Sequence, residues 1–113
     1  MRQILLAGML GLWATTAMAH SPLSASVPAN EEIVAELPEQ LLLAFKAKMR
    51  LTRLTMTHAD HDSVDMDLSG AKGFVTQYAV PLQSMGSGIY VIDWRGLGDD
   101  GHAANGTFSF TVQ

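Results

Sequence analysis

The end of the chain shows the clearest alternation of apolar and polar side chains. The segment Thr107–Val112 alternates with period two, which predicts a half-buried strand. The β-branched and aromatic run Ile89–Trp94 predicts a second strand. Between them, the glycine-rich and aspartate-rich stretch Gly96–Gly106 predicts a loop. The side chains predicted on the buried faces are Tyr90, Ile92, Trp94, Phe108, Phe110 and Val112.

Earlier segments of the mature chain also favour strands. The predicted strands are Leu23–Val27, Ile33–Leu37, Leu41–Phe45, Leu51–Thr57 and Phe74–Val80. A short helix over Leu41–Lys48 is the alternative, because leucine and alanine favour helices, although Pro38 and the short length favour a strand. Several short strands without a long helix indicate an all-β sandwich or barrel, and the length suits a single domain.

The first 19 residues resemble a secretion signal. Arg2 provides the positive charge, Ile4–Ala14 is an unbroken run of apolar residues and glycines, and Ala17–Ala19 matches the small-x-small cleavage pattern. A membrane-spanning helix is the rival interpretation, but spanning needs about 20 apolar residues. We therefore predict a cleaved signal peptide at 1–19 and a mature periplasmic domain at 20–113, with no direct membrane insertion after cleavage.

The composition limits the chemistry open to this domain. The chain has 113 residues and no cysteine, which excludes disulfides and thiolate ligands. Its formal net charge is −4, and loss of Arg2 with the leader makes it one unit more negative. A mildly acidic domain lacks the broad basic field that attracts nucleic acid or anionic lipid. Any metal site is expected to use imidazole, carboxylate, amine or thioether groups.

Cleavage after Ala19 would make His20 the first residue of the mature chain. A histidine in that position offers its α-amine and its Nδ1 atom, which together chelate one metal ion in a six-membered ring. An internal histidine cannot do this. The alternative is that His20 merely follows the cleavage site.

The loop between the last two strands contains a second pair of potential ligands, Asp100 and His102. Residues at i and i+2 of an extended chain point to the same side, and Gly101 between them allows a tight bend. The alternative is a solvated polar turn.

Near the mature terminus, Pro22 has no backbone N–H, so it would stop successive amides from binding a metal after Ser21.

Both ends of the mature chain resemble the CopC family of periplasmic copper-resistance proteins. The segments that carry the resemblance are His20–Leu23, Ser26–Asn30, Tyr90–Arg95, Asp100–His102 and Gly106–Val112. The resemblance implies an immunoglobulin-like Greek-key β-barrel or sandwich of about seven strands. It also implies one Cu(II) per chain, bound by the amine and imidazole of His20, the carboxylate of Asp100 and the imidazole of His102.

The same resemblance implies a function in copper sequestration, resistance or delivery, with a CopD-type inner-membrane protein as a partner. We expect a monomer, since no feature calls for a dimer. Two alternatives from other classes remain: a copper monooxygenase with an N-terminal histidine brace, and a metal-free structural or adhesion domain. The enzyme is disfavoured because Asp100 would fill a position that oxygen chemistry needs open, and we expect no catalytic residues.

A second metal site is the remaining question from the sequence. Some family members bind Cu(I) through a methionine-rich stretch with a histidine, but methionines are sparse here and core filling accounts for them. We therefore expect no Cu(I) site. The acidic segment 58–67 is expected to be a solvated loop or hairpin. The residues in question are Met56, His58, His61 and Met66.

Overall fold

The computed structural model describes residues 22–113, and this part of the chain contains seven β-strands. The strands are β1 (Leu23–Val27), β2 (Glu32–Val34), β3 (Gln40–His58), β4 (Val64–Asp65), β5 (Val75–Pro81), β6 (Gly88–Gly98) and β7 (Ala103–Val112). Over these residues there is no helix that is long and apolar enough to cross a bilayer. The predicted all-β domain of about seven strands is confirmed.

The longest element is β3, which continues through a stretch that the sequence divided into two strands. Its buried side chains have odd numbers as far as Leu51 and even numbers from Leu54 onward. The change occurs at Thr52, an extra residue between Leu51 and Arg53 in the pairing with β6. Such a bulge turns the following side chains to the other face, so the apolar residues of both halves reach one core.

The order of the strands shows which of them share an edge of β3. The strands are arranged β1-β3-β6-β7-β2, and β4 and β5 pair with β3 off this path. Leu42 pairs with β1 and β5 at once, and Met49 pairs with β5 and β6 at once. Because a strand has two edges, β1 and β6 share the edge of β3 that lies opposite β5.

The core is formed by the inward faces of β3, β5, β6 and β7. Trp94 is almost fully buried and packs edge-on against Phe45, with ring centroids 5.1 Å apart. Tyr90 stacks on Phe110 at 5.3 Å. Full burial of one such side chain stabilises the fold by about 1.5–3 kcal/mol. All six side chains predicted on the buried faces of β6 and β7 belong to this core.

Three of the sequence-based boundaries were wrong. The segments Leu41–Phe45 and Leu51–Thr57 belong to the single strand β3, so the helical alternative for this region is also wrong. The strand predicted at Ile33–Leu37 is reduced to β2, which pairs with β7 in parallel. The loop predicted at Gly96–Gly106 is much shorter. Cross-strand hydrogen bonding extends β6 and β7 into it, so that four residues separate the two strands.

Candidate metal centre

The turn between β6 and β7 carries two of the three predicted metal ligands. Gly98 and His102 form the last backbone pair before the turn, with the Gly98 N–H donating to the His102 carbonyl at 2.8 Å. The Gly101 N–H donates to the Gly98 carbonyl at 3.0 Å. Gly101 has a φ of 89°, a left-handed conformation that glycine adopts without strain. This geometry matches a three-residue hairpin loop with a glycine bulge.

Within this turn, the Asp100 carboxylate folds back onto His102. Its Oδ1 atom accepts the His102 backbone N–H at 3.0 Å, and its Oδ2 atom lies 3.1 Å from His102 Nδ1. The hydrogen bond from the backbone N–H, followed by the one from the ring, lowers the pKa of Asp100 below its usual value. The i, i+2 pairing expected from the sequence is therefore present as a direct contact.

The same contact determines which nitrogen of His102 is available. A carboxylate can only accept, so Nδ1 carries the proton and donates to Asp100. In the neutral imidazole, the lone pair is then on Nε2. The His102 side chain is 87% exposed, so Nε2 is open to a ligand. A carboxylate that orients a histidine in this way is common around protein-bound metals.

The sequence pattern does not single out Gly98, although the structure gives this residue a role. A Cβ atom built there would lie 2.8 Å from Asp100 Oδ1, closer than real Cβ contacts allow. The absent side chain therefore leaves the space into which the carboxylate folds. Gly98 is the last residue of β6 and lies two residues before Asp100, and this position is the signal in the sequence that could have identified its role.

The third predicted ligand, His20, lies outside the described residues. The first described residue, Pro22, accepts a hydrogen bond from the Lys46 backbone N–H through its carbonyl oxygen, at 2.9 Å. Pro22 therefore lies beside residue 46 of β3. This is the end of β1 that points along β3 toward β6.

The facing ends of β1 and β6 leave a short gap on the edge of β3. Leu23 pairs with Phe45, and Gly98 pairs with Met49, so the two strand ends are four residues of β3 apart. At about 3.3 Å per residue, this distance is about 13 Å. Three residues of extended chain, from Leu23 back to His20, have a reach of about 10 Å. The β6–β7 turn begins directly after Gly98, at the other side of the gap.

Among residues 22–113, no group of three or more histidine, cysteine, aspartate or glutamate side chains is arranged to hold a metal ion. Asp100 and His102 thus form a pair of donors, and a four-coordinate site at this turn would need two more.

The two histidines of the segment 58–67 have a different environment. His58 is 5% exposed, and its Nε2 atom donates to the Ser87 carbonyl at 2.7 Å. Its ring centroid lies 4.6 Å from that of Tyr90, and the ring of His61 stacks on it at 5.6 Å. Both sulfur side chains of interest, Met56 and Met66, pack at the apolar core. The solvated loop expected from the sequence is thus anchored at one end by a buried imidazole.

Comparison of the sequence with known proteins identifies copper-related relatives. A family model described as the CopC domain matches residues 23–113. The chain is 30% identical to copper resistance protein C of Escherichia coli over 122 aligned residues, which cover 99% of this chain and 96% of the relative. It is 28% identical to copper resistance protein C of Pseudomonas syringae pv. tomato, over 86% of this chain and 83% of the relative.

Solved structures show the same fold. The crystal structure of CopC from Methylosinus trichosporium OB3b superposes with a TM-score of 0.69 at 23% identity, covering 83% of this chain and 94% of that one. A crystal structure of PcoC, a methionine-rich copper resistance protein from Escherichia coli, superposes with a TM-score of 0.59 at 31% identity, covering 84% and 100%. Because the family model spans nearly all of the described residues and a curated relative matches almost end to end, this chain belongs to the CopC family of copper resistance proteins.

Proposed function

We propose that this protein is exported, loses residues 1–19, and binds one Cu(II) ion per chain in the periplasm through its mature domain at 20–113. The proposed ligands are the α-amine and Nδ1 of His20, the carboxylate of Asp100 and the imidazole of His102, with the carboxylate turning away from His102 Nδ1 to reach the metal. The protein would sequester copper or pass it to a partner.

One observation carries this proposal: β1 and β6 end opposite each other on one edge of β3. Pro22 and the turn bearing Asp100 and His102 lie at the two sides of this gap. An extended reach of about 10 Å from Leu23 back to His20 covers most of the gap of about 13 Å, and the length of the ligand side chains supplies the rest.

The donor chemistry supports copper in its oxidised form. Two nitrogens from His20, one nitrogen from His102 and one oxygen from Asp100 would make a mixed set that suits a tetragonal Cu(II) site. Cu(II) also has the highest affinity among the divalent first-row metals for such sites. The curated relatives carry the name copper resistance protein C, which agrees with a copper ligand here.

The domain would act as a monomeric carrier, with a CopD-type inner-membrane protein as the partner that receives or supplies copper. We propose no enzymatic activity, since Asp100 would occupy the coordination position that oxygen activation needs. We also propose no Cu(I) site at Met56, His58, His61 or Met66. The lone pair of His58 faces the protein interior, and its other nitrogen holds the Ser87 carbonyl.

The proposal is tested with two purified forms of the domain that differ only at the amino terminus. One begins at His20, and the other carries one additional methionine before His20. Each is titrated with Cu(II) and examined by electron paramagnetic resonance. The first form should bind one equivalent with a nitrogen-rich tetragonal spectrum, and the second should bind far more weakly because its histidine no longer has a free α-amine.

Two results would contradict the proposal. Equal binding by both forms would locate the copper elsewhere, with the segment 58–67 as the next candidate. An absence of binding by either form would leave a metal-free structural domain as the better description. Thermal melting of both metal-free forms serves as the control, since neither should differ in stability.

A further inference from the structure

The cationic side chains of this acidic protein are concentrated on one strand. Of the seven lysines and arginines in the chain, four fall within the eight residues 46–53 of β3. They are Lys46, Lys48, Arg50 and Arg53. A fifth, Arg95, lies directly opposite Arg53 on β6. The net charge of −4 therefore conceals a local concentration of positive charge.

These cations share the outer face of the sheet. Lys46, Lys48 and Arg50 occupy every second position of β3 and are exposed. On the opposite face, Phe45, Met49 and Leu51 are buried. The bulge at Thr52 keeps the next cation on the same face, because Leu54 is buried and Arg53 is exposed. Successive cations are about 7 Å apart along an extended strand. Together they form a basic stripe, defined here as Lys46, Lys48, Arg50, Arg53 and Arg95.

Most of the stripe has no acidic partner within the described residues. Arg53 lies 3.4 Å from Asp65, but no carboxylate of residues 22–113 is within 4.0 Å of Lys48, Arg50 or Arg95. Like charges directly opposite each other on neighbouring strands are destabilising, and Arg53 and Arg95 are such a pair. The Arg53–Arg95 pair therefore costs stability. Lys48, Arg50 and Arg95 are available to an external anion.

An apolar depression continues the stripe on the same face. It has a volume of about 460 Å³ and is formed where β1, β3 and β5 lie side by side. Val27 and Leu42 are paired across β1 and β3, and they are 53% and 43% exposed. Ala44, two residues before Lys46, also lines this depression. An outer sheet face would ordinarily carry polar side chains, so an apolar depression of this kind indicates a contact surface.

We infer that the basic stripe and the adjoining depression form a docking surface for an acidic segment of a partner protein. The carboxylates of such a segment would pair with Lys48, Arg50 and Arg95, and an apolar side chain beside them would enter the depression. Charge complementarity identifies this partner, because the rest of the domain is acidic and would repel an acidic chain elsewhere. A concave apolar surface suits an inserted side chain better than a flat layer of lipid headgroups.

The surface lies beside the proposed copper site, and its role in copper transfer rests on the proposed function. Met49 pairs with Gly98, the residue that precedes the β6–β7 turn, and both Lys48 and Arg50 are neighbours of Met49. An acidic partner on the stripe would therefore be held next to Asp100 and His102.

The docking surface is tested with a fluorescein-labelled ten-residue oligo-glutamate peptide and the metal-free mature domain. Metal-free protein is needed because glutamates would themselves bind Cu(II). Fluorescence anisotropy at low salt, about 20 mM, should show binding that weakens as salt shortens the Debye length. Amide shifts in ¹⁵N spectra should be largest at Lys48, Arg50 and Arg95. The double variant Lys48→Gln/Arg50→Gln should bind at least about tenfold more weakly.

A charge-matched control distinguishes the stripe from net charge. The double variant Gln83→Glu/Gln113→Glu changes the net charge by the same two units at exposed positions outside the stripe, and should lose less than about twofold. Equal losses in both variants, or no binding by the wild type, would overturn the inference. Binding to phosphatidylglycerol vesicles but not to the peptide would also overturn it, in favour of a lipid surface.

The docking inference and the copper proposal can fail independently of each other. Lys48→Gln/Arg50→Gln should still take up one equivalent of Cu(II), and the form with an additional methionine before His20 should still bind the peptide. Loss of copper binding in the first case would mean that these cations support the metal site instead of a partner. Melting curves of both double variants should match the wild type, because the substituted side chains are exposed.

Discussion

His102 and His58 use their two ring nitrogens in opposite ways. His102 donates its Nδ1 proton to Asp100 and leaves Nε2 in solvent. His58 donates its Nε2 proton to the Ser87 carbonyl and leaves Nδ1 buried, with no hydrogen-bond partner among the described residues. Both imidazoles are thus fixed by a single hydrogen bond, but only one lone pair can be reached from outside.

This difference separates a metal ligand from a structural histidine. A metal ion needs a lone pair and an approach path, and the Nδ1 atom of His58 is buried away from solvent. An orphaned nitrogen in the interior costs about 1–3 kcal/mol, which the packing of the ring must offset. Removing His102 should therefore weaken copper binding and leave stability unchanged. Removing His58 should lower stability and leave copper binding unchanged.

The largest effect is expected at His102. Replacing it with alanine removes one nitrogen ligand, and loss of even an outer partner of a ligand commonly costs 10–100-fold in metal affinity. We expect His102→Ala to weaken Cu(II) binding by at least about 100-fold, measured by competition with a chelator. The melting temperature of the metal-free protein should not change, since the side chain is exposed. An unaltered affinity would remove His102 from the site.

The complementary change at His58 should act on stability. His58→Ala leaves a cavity beside Tyr90 and removes the hydrogen bond to Ser87, and we expect the free energy of unfolding to fall by about 2–3 kcal/mol. Urea denaturation measures this loss. Copper affinity of the folded protein should be unchanged. His61→Ala, at an exposed position, is the matched control and should cost less than about 0.5 kcal/mol. Weaker copper binding by His58→Ala would show that the two histidines are not separate in function.

A smaller effect is expected from Asp100, and it has a distinctive pH dependence. Its pKa is lowered by the hydrogen bonds from His102, so the carboxylate stays charged above pH of about 4, the ordinary range for aspartate. The stabilising contact with His102 is therefore present at neutral pH and is lost only as pH falls through that lowered pKa. Copper release at higher pH would instead follow protonation of the other proposed ligands, because a group must be deprotonated to bind the metal.

We accordingly expect Asp100→Asn to weaken Cu(II) binding by about tenfold at pH 7. Between pH 7 and 5, the slope of log affinity against pH should match that of the wild type, because the Asp100 carboxylate is already charged over this range and takes up no proton as copper leaves. Isothermal titration at several pH values measures both the affinity and the slope. A slope that changes with Asp100→Asn would mean that the carboxylate itself controls release.

The smallest effect is expected at Gly98. Gly98→Ala places a methyl group where Asp100 Oδ1 now lies, and the flexible carboxylate is able to swing away with little cost to the fold. We expect a few-fold loss of copper affinity and an unchanged melting temperature, because His102 loses the group that orients it. In ¹⁵N spectra of the metal-free protein, the His102 ring should change from one tautomer to a mixture. A ring that keeps its tautomer would show that Asp100 does not orient it.

Much of the fold was predictable because it depends on local patterns. Alternation along Thr107–Val112 and Ile89–Trp94 identified the inward faces of β7 and β6, and the bounds of β1 were correct. The single strand β3 was not predictable in this way. Its bulge at Thr52 reverses the alternation. The exposed residues around Lys48 resemble a loop in sequence, although pairing of the flanking parts of β3 with three other strands keeps the strand continuous.

The candidate site was predictable to a different degree at each residue. Asp100 and His102 are two residues apart in a turn, so their contact follows from local geometry and is present. The space at Gly98 depends on where the Asp100 carboxylate folds back, which the sequence does not specify. His20 stays a prediction, and its support comes from the register of β1 and β6 on β3.

The sequence by itself determined the all-β class, the buried faces of the terminal strands and the donor pair in the last turn, because these follow from spacings of one or two residues. Only the tertiary structure decided that β1 and β6 end opposite each other, that His58 is buried while His102 is exposed, and that the cations of β3 line one face with Arg95. Those features depend on hydrogen-bond register and burial between segments distant in the chain, and residue spacing within one segment carries no information about either.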